Sequence, residues 1–330
     1  MNSIFLGEPP ANIKQWIIEH YTPPTPPASG PLCFTAEQDG SSASLIGWDT
    51  MMYEQIDIFA SLQYSTDNVT WQEWDGHVIN LNAGQKVYIK ALNPNLNGMA
   101  KNDGMQYHKF IFEGKIAASG NIQYLLEDTG SRTDVPAYAY DYMFSGCTSL
   151  ASAPELPATT LANNCYSGMF SGCTNLTQAP ALPATTLADY CYGDMFSNCT
   201  SLTSAPELPA TTLDYGCYSG MFNGCTSLAS APELPATTLA NSCYGDMFYG
   251  CTSLTSAPEL PATTLANSCY DYMFKGCTNL TQAPELPATT LANSCYNSMF
   301  NGCTNLTQAP ALLATTLASL CYNNMFKGCT

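Results

Sequence analysis

Cysteine, histidine and a recurring glutamate are the residues of this chain whose types and spacing could carry chemistry. Of the 16 cysteines, Cys33 stands alone. The others form two periodic sets, one from Cys147 to Cys329 and one from Cys165 to Cys321. Such usage admits disulfides, a thiolate metal site or a nucleophilic thiol. Within one unit, Cys165 and Cys173 are eight positions apart. On a helix that is about 12 Å, whereas a disulfide needs Cα atoms within roughly 7 Å. Pairing between units needs helices closer than their usual separation of about 8–10 Å. Zinc needs clustered ligands, yet His20, His77 and His108 all fall outside the periodic part. Hydrolase chemistry needs a nucleophile near a histidine and a carboxylate; the repeats contain no histidine, and the three elsewhere carry no recognisable motif. No glycine-rich phosphate loop occurs. The thiols read as small buried core residues, with disulfides as the alternative, and no cofactor or metal is implied.

Two further sets of residues point outward. Glu155, Glu207, Glu233, Glu259 and Glu285 recur at one register position, interrupted by Ala181 and Ala311. A row of like charges belongs in solvent, where it is a candidate ligand-facing row. The residues after each periodic tyrosine also vary while the apolar letters hardly change: Ser167-Gly168, Gly193-Asp194, Gly245-Asp246, Asp271-Tyr272. With Tyr249 and Lys275 before the next glycine, Asp194, Asp246, Tyr249 and Tyr272 are candidates for a patterned recognition face. Drift on an unused face would produce the same variation.

These residues are positioned by a 26-residue period, registered by Leu156, Leu182, Leu208, Leu234, Leu260, Leu286 and Leu312. Self-similarity of this length marks a solenoid. In one unit Cys165, Tyr166, Met169, Phe170 and Cys173 are apolar, a spacing that predicts a short helix N-capped by Asn163 and ended by Gly172. Leu176 to Pro183 predicts a short strand, limited by its prolines. One such unit cannot bury its apolar stripe alone. Stacked copies can, with Phe170 over Phe196 over Phe222 and Tyr166 over Tyr192 over Tyr218.

Units reading Pro-Ala-Thr-Thr-Leu-Ala-Asn-x-Cys-Tyr-x-x-Met-Phe-x-Gly-Cys-Thr-x-Leu-Thr-x-Ala-Pro resemble BspA-type leucine-rich repeats, with Cys173-Thr174-Asn175-Leu176 matching the family's Cys-x-x-Leu. The resemblance covers roughly 137–330 and departs from the standard leucine-rich pattern where Leu176 is followed by Ala179 and Pro180. It implies a non-enzymatic surface or adhesion protein with a protein or glycan ligand on a host or bacterial surface.

The remainder divides differently. Residues 1–22 include an amphipathic stretch, with Ile13, Trp16 and Ile17 on one side of a candidate docking helix, and 23–31 is a Pro-rich linker. Residues 32–128 alternate with period two and carry turn signals, predicting an all-β, immunoglobulin-like sandwich domain that lacks the Cys…Trp…Cys signature. Its expected strands are Leu32–Glu37, Ala43–Trp48, Ile56–Tyr64, Thr70–Trp74, His77–Asn82, Lys86–Leu92, Lys109–Phe112 and Lys115–Leu126. Residues 129–136 read as a junction, and Ala139 replaces the periodic cysteine in a degenerate first unit. The expected fold class is thus an α/β leucine-rich-repeat solenoid preceded by a β-sandwich.

Charge excludes one partner class. The chain carries 26 acidic against 9 basic residues, so a phosphate backbone is repelled. No apolar run spans a bilayer, and no basic-then-apolar leader opens the chain. A trimmed leader, a cytosol-assembled phage virion or tail component, and an intracellular protein all fit that start. The expected role is recognition or adhesion at a bacterial cell surface, extracellular, or on a virion; the alternative is an assembly component whose repeats have no ligand. Residues 1–31, or the last repeat, which is followed by no cap, are the expected contacts with a larger assembly.

Overall fold

The computed structural model describes residues 29–57, 60–93, 99 and 105–329; Ile13, Trp16, Ile17 and residues 23–28 of the Pro-rich stretch lie outside the described residues. The N-terminal part is a pair of sheets. Strands β1 (Leu32–Ala36), β4 (Leu62–Ser65), β5 (Gln72–Trp74), β7 (Lys86–Ala91) and β9 (Ile116–Ser119) form one in the order β9-β1-β7-β4-β5. In the other, β2 (Ser41–Asp49) pairs along one edge with β8 (Gln106–Glu113). Its second edge takes β3 (Glu54–Ile56) at one end and β6 (Ile79–Leu81) at the other. Alternate residues of the two layers meet between them. The Phe34 ring stands edge-on to Phe110 and Phe112, with centroids 4.8 and 4.9 Å away, a favoured aromatic geometry.

Most expected strands are present within a residue or two, with two corrections. Ile56–Tyr64 is not one strand, because its ends serve opposite layers: β3 pairs with β2 and β4 with β7. Gly47 permits the first pairing, since a Cβ there would lie 2.8 Å from the Ile56 carbonyl oxygen. Lys115–Leu126 ends as a strand at Gly120, whose φ is +78°. A single 3-10 turn, Ile122–Leu125, follows, its Gln123 N–H donating to the Asn121 side chain.

The periodic part stacks as expected, but its coils contain no helix; the expectation of a helix capped by Asn163 is wrong. Every fourth residue of the predicted helix has a left-handed backbone: Asn164 (φ 55°), Gly168 (55°) and Gly172 (74°), with the same spacing in later coils. The segment is a ribbon of consecutive turns. Cys165, Ser167, Met169, Ser171 and Cys173 donate their N–H groups three residues back, to Ala162, Asn164, Tyr166, Gly168 and Phe170. The alternate residues Asn164, Tyr166, Gly168, Phe170 and Gly172 donate to carbonyls of the next coil, at Asp189, Cys191, Gly193, Met195 and Ser197. A helix would satisfy both sets within one segment and leave neighbouring coils unbonded. The ribbon instead divides its donors between its own turns and the stack.

The Leu176–Pro183 strand shrinks to isolated parallel bridges, such as Gln178 with Ser204, because the prolines interrupt the ladder. A second bridge column runs through the threonines, joining Thr212, Thr238, Thr264 and Thr290 in succession. Inside the coils, the side chains form the expected columns. Tyrosine rings from Tyr140 to Tyr322 stack at 5.5–5.9 Å. Phenylalanine rings from Phe144 to Phe326 stack at 5.4–5.8 Å.

The two parts share one core. Strand β11 (Leu150–Ser152) of the first coil joins the edge of β9 in parallel, and β10 (Asp134–Val135) pairs with β12 (Thr160–Leu161). Phe110 of β8 behaves as the phenylalanine of a preceding coil would. It stacks on Phe144 at 5.2 Å, donates its N–H to Met143 and accepts the Cys147 thiol. The sheet therefore continues the ladder rather than merely adjoining it.

Candidate functional site: the outer face of the turn ribbon

The cysteines are structural. All 16 are free; among the described positions every one is buried except Cys329, which is partly so. In the set from Cys147 to Cys329, each thiol after Cys147 donates to a phenylalanine carbonyl of the preceding coil, as Cys173 does to Phe144 and Cys225 to Phe196, both at 3.1 Å. That carbonyl also accepts the backbone N–H of the cysteine in its own coil. Burial pushes these thiols up, Cys199 to about 12, so the reactive thiolate is suppressed. Among the described residues no group of three or more His, Cys, Asp and Glu could hold a metal. His108 is buried, with its Nδ1 2.9 Å from the Met99 carbonyl, and exposed His77 pairs with Asp75 at 2.6 Å. The other ring nitrogen of His108, Nε2, accepts the Ala60 N–H at 3.2 Å.

The outward residues fall on two features. Glu155, Glu207, Glu233, Glu259 and Glu285 are all exposed, on loops between proline-rich segments. Shallow clefts of about 330, 430 and 450 Å³ separate successive loops, lined by pairs such as Pro258-Glu259 and Pro284-Glu285. Glu155, the first of the row, accepts a bond from the Ser29 hydroxyl.

The second feature is the ribbon itself. Because the turns stack closely, a large side chain leans over the next coil and requires a small residue beneath it. Tyr142 lies where a Cβ on Gly168 would be, Tyr190 likewise covers Gly216, and Asp194 covers Gly220. Part of the variation along the chain is therefore packing between neighbours. The remainder forms two aromatic–acid clusters. Asp246, Tyr249, Asp271 and Tyr272 come together around Lys275, whose Nζ is 5.1 Å from the Tyr249 ring and 4.8 Å from that of Tyr272. Asp271 is raised to about 6 by loss of hydration despite a bond from Asn297. Asp194 belongs to the other cluster, beside Tyr190. That cluster centres on Tyr190 and Tyr215 with Asp189 and Asp214, none of them singled out in the sequence. Their signal was present: Asp189, Tyr190 and Tyr215 are bulky or charged residues where most other coils carry asparagine, serine or glycine, and Asp214 stands where the others carry alanine.

A single-layer stack of short coils with a repeated interior and a varied exterior defines the class of solenoid repeat proteins. Residues 136–231 and 194–330 match the family model described as BspA type leucine rich repeat region, in 6 copies. The chain belongs to this family of BspA-type leucine-rich repeat proteins. It is a non-enzymatic repeat family whose members are typically surface or extracellular, with protein-binding or adhesion roles. No curated protein and no solved structure matches the chain. Among the described residues no helix is long and apolar enough to cross a membrane.

Proposed function

We propose that this protein is a recognition or adhesion protein that presents the outer ribbon face of its coils to a macromolecular ligand on a bacterial cell surface or a virion. One observation carries the reading. The buried letters of each coil are nearly invariant, while Tyr190, Tyr215, Tyr249 and Tyr272, which lie outside the core column, gather with aspartates and Lys275 on the outer ribbon face. A preorganised surface of this kind gains affinity from many small contacts without an ordering cost. The residues before 32 serve as the attachment to a larger assembly, and the immunoglobulin-like reading of the paired sheets makes them a stalk and a cap for the first coil.

The test is capture on arrays of host and bacterial surface proteins and of glycans, using the full chain and its Tyr249→Ala/Tyr272→Ala and Tyr190→Ala/Tyr215→Ala variants. Ligands retained by the wild type and lost by a ribbon variant support the reading. Ligands retained equally by all forms overturn it, and move the weight to a structural assembly component.

A further inference from the structure

The two aromatic–acid clusters differ in one respect. In the C-terminal one, the chain supplies its own cation: Lys275 is held between two tyrosine rings, and both Asp246 and Asp271 feel its charge. In the N-terminal one the walls are present, and among the described residues no lysine or arginine stands over them. Tyr190 and Tyr215 meet edge to face, centroids 5.1 Å apart and planes at 87°, forming an open corner. Both remain accessible, at 36% and 41% exposure. Asp189 and Asp214 sit at its base, each accepting from the Tyr215 N–H, at 3.2 and 3.1 Å. Their like charges repel, and burial together with that repulsion raises Asp189. Lys275 and Lys327 are the basic residues of 137–330. Lys275 is engaged by its own cage two coils further on, and Lys327 belongs to the last coil.

We propose that the Tyr190/Tyr215 corner with Asp189 and Asp214 is a receptor for a lysine or arginine side chain of a partner protein. The Lys275 cage shows the arrangement filled from within. A cation within about 6 Å of a tyrosine face is attracted by the ring quadrupole, and a pair of uncompensated carboxylates favours the same ligand. Gly216 makes the site possible: its lack of Cβ lets the Tyr190 ring pack directly against the next coil. The inference rests on the protein-binding reading above and names the partner chemistry at one place on that face.

The experiment titrates the full chain at low salt with capped hexalysine and capped hexa-arginine, with capped hexaserine as control, by calorimetry and by tyrosine resonances in NMR. The expected result is one site for either cationic peptide and none for hexaserine. Tyr215→Ala and Asp189→Asn/Asp214→Asn should each weaken binding about fivefold. Tyr215→Phe should retain it, and Lys275→Ala should open a second site. The charge-matched control Glu207→Gln/Glu259→Gln should change affinity less than about twofold. Equal weakening by that control, indifference to Tyr215→Ala, or no binding of the cationic peptides overturns the proposal. Array ligands still captured through the ribbon face would leave the broader reading standing.

Discussion

Gly216 has a φ of +57°, and an added Cβ would lie 2.4 Å from a Tyr190 ring carbon. Gly302 has a φ of +78°, but its nearest neighbour is a backbone atom at 3.8 Å. The two separate backbone cost from ring displacement. Gly302→Ala should lower stability by roughly 1 kcal/mol, the cost of a left-handed alanine. Gly216→Ala should cost more and also shift the Tyr190 resonances; urea midpoints and NMR check both. Asp141 offers a pH test. It is buried beside Tyr107 and Tyr142, and among the described residues its Oδ1 has no hydrogen-bond partner. Burial raises it from 3.8 to about 7. The folded state therefore holds a proton that the unfolded chain releases. Its stabilising contribution is full below about pH 4 and is lost as pH rises through about 7. Asp271, raised to about 6, titrates with the same sign but is half-exposed and contributes less. Asp141→Asn should flatten the decline between about pH 4 and 7, an effect on the order of a few kcal/mol, measured by unfolding at each pH.

At the scale of one coil, tyrosine and phenylalanine columns dominate packing. Phe222 lies between Phe196 and Phe248 at 5.8 Å each and is fully buried. Phe222→Ala should cost about 3–5 kcal/mol. Cys225→Ala removes a thiol donor and a small volume, and should cost about 1 kcal/mol. Chemical unfolding of the two variants checks the ranking. The period, the core letters and the columns were legible in the sequence because a repeated interior must be written out in every unit. The ribbon was not, and the reason is one of spacing. Cys165, Met169 and Cys173 recur every four residues, as do Tyr166 and Phe170, whereas a helix drifts with a period of 3.6. Over so short a segment the two patterns nearly coincide. The distinguishing sign was on the polar side: Asn164, Gly168 and Gly172, then Gly216, Gly220 and Gly224, are residues that tolerate positive φ. Tyr190, Tyr272 and Leu320 at equivalent positions blur it, since large residues enter that conformation rarely. The Tyr190/Tyr215 corner was hidden for another reason: its residues stand at two different register positions of successive coils and meet because one coil leans on the next.

Across the whole molecule, every coil makes the same bonds to the next. Removing one complete unit, Pro287 to Leu312, rejoins Leu286 to Leu313 in register. That deletion should fold with an unchanged circular dichroism shape and a denaturant slope reduced by about one coil's share of surface. Deleting half that length should abolish cooperative unfolding, because it sets polar turn residues against the aromatic columns.

The direction of the bonds between coils carries one more consequence. At Asn163–Asn164, Cys165–Tyr166 and their successors along the ribbon, each peptide unit sends its carbonyl toward the preceding coil and its N–H toward the following one. The peptide dipoles therefore add along the rod, opposite in sense to those of an α-helix, whose positive pole is its N-terminus. The N-terminal sheets lie on the negative pole, and the N–H groups of Phe110 and Ile116 donate into it. Any coil, chain or ion meeting the opposite pole of this acidic molecule is greeted by aligned backbone donors.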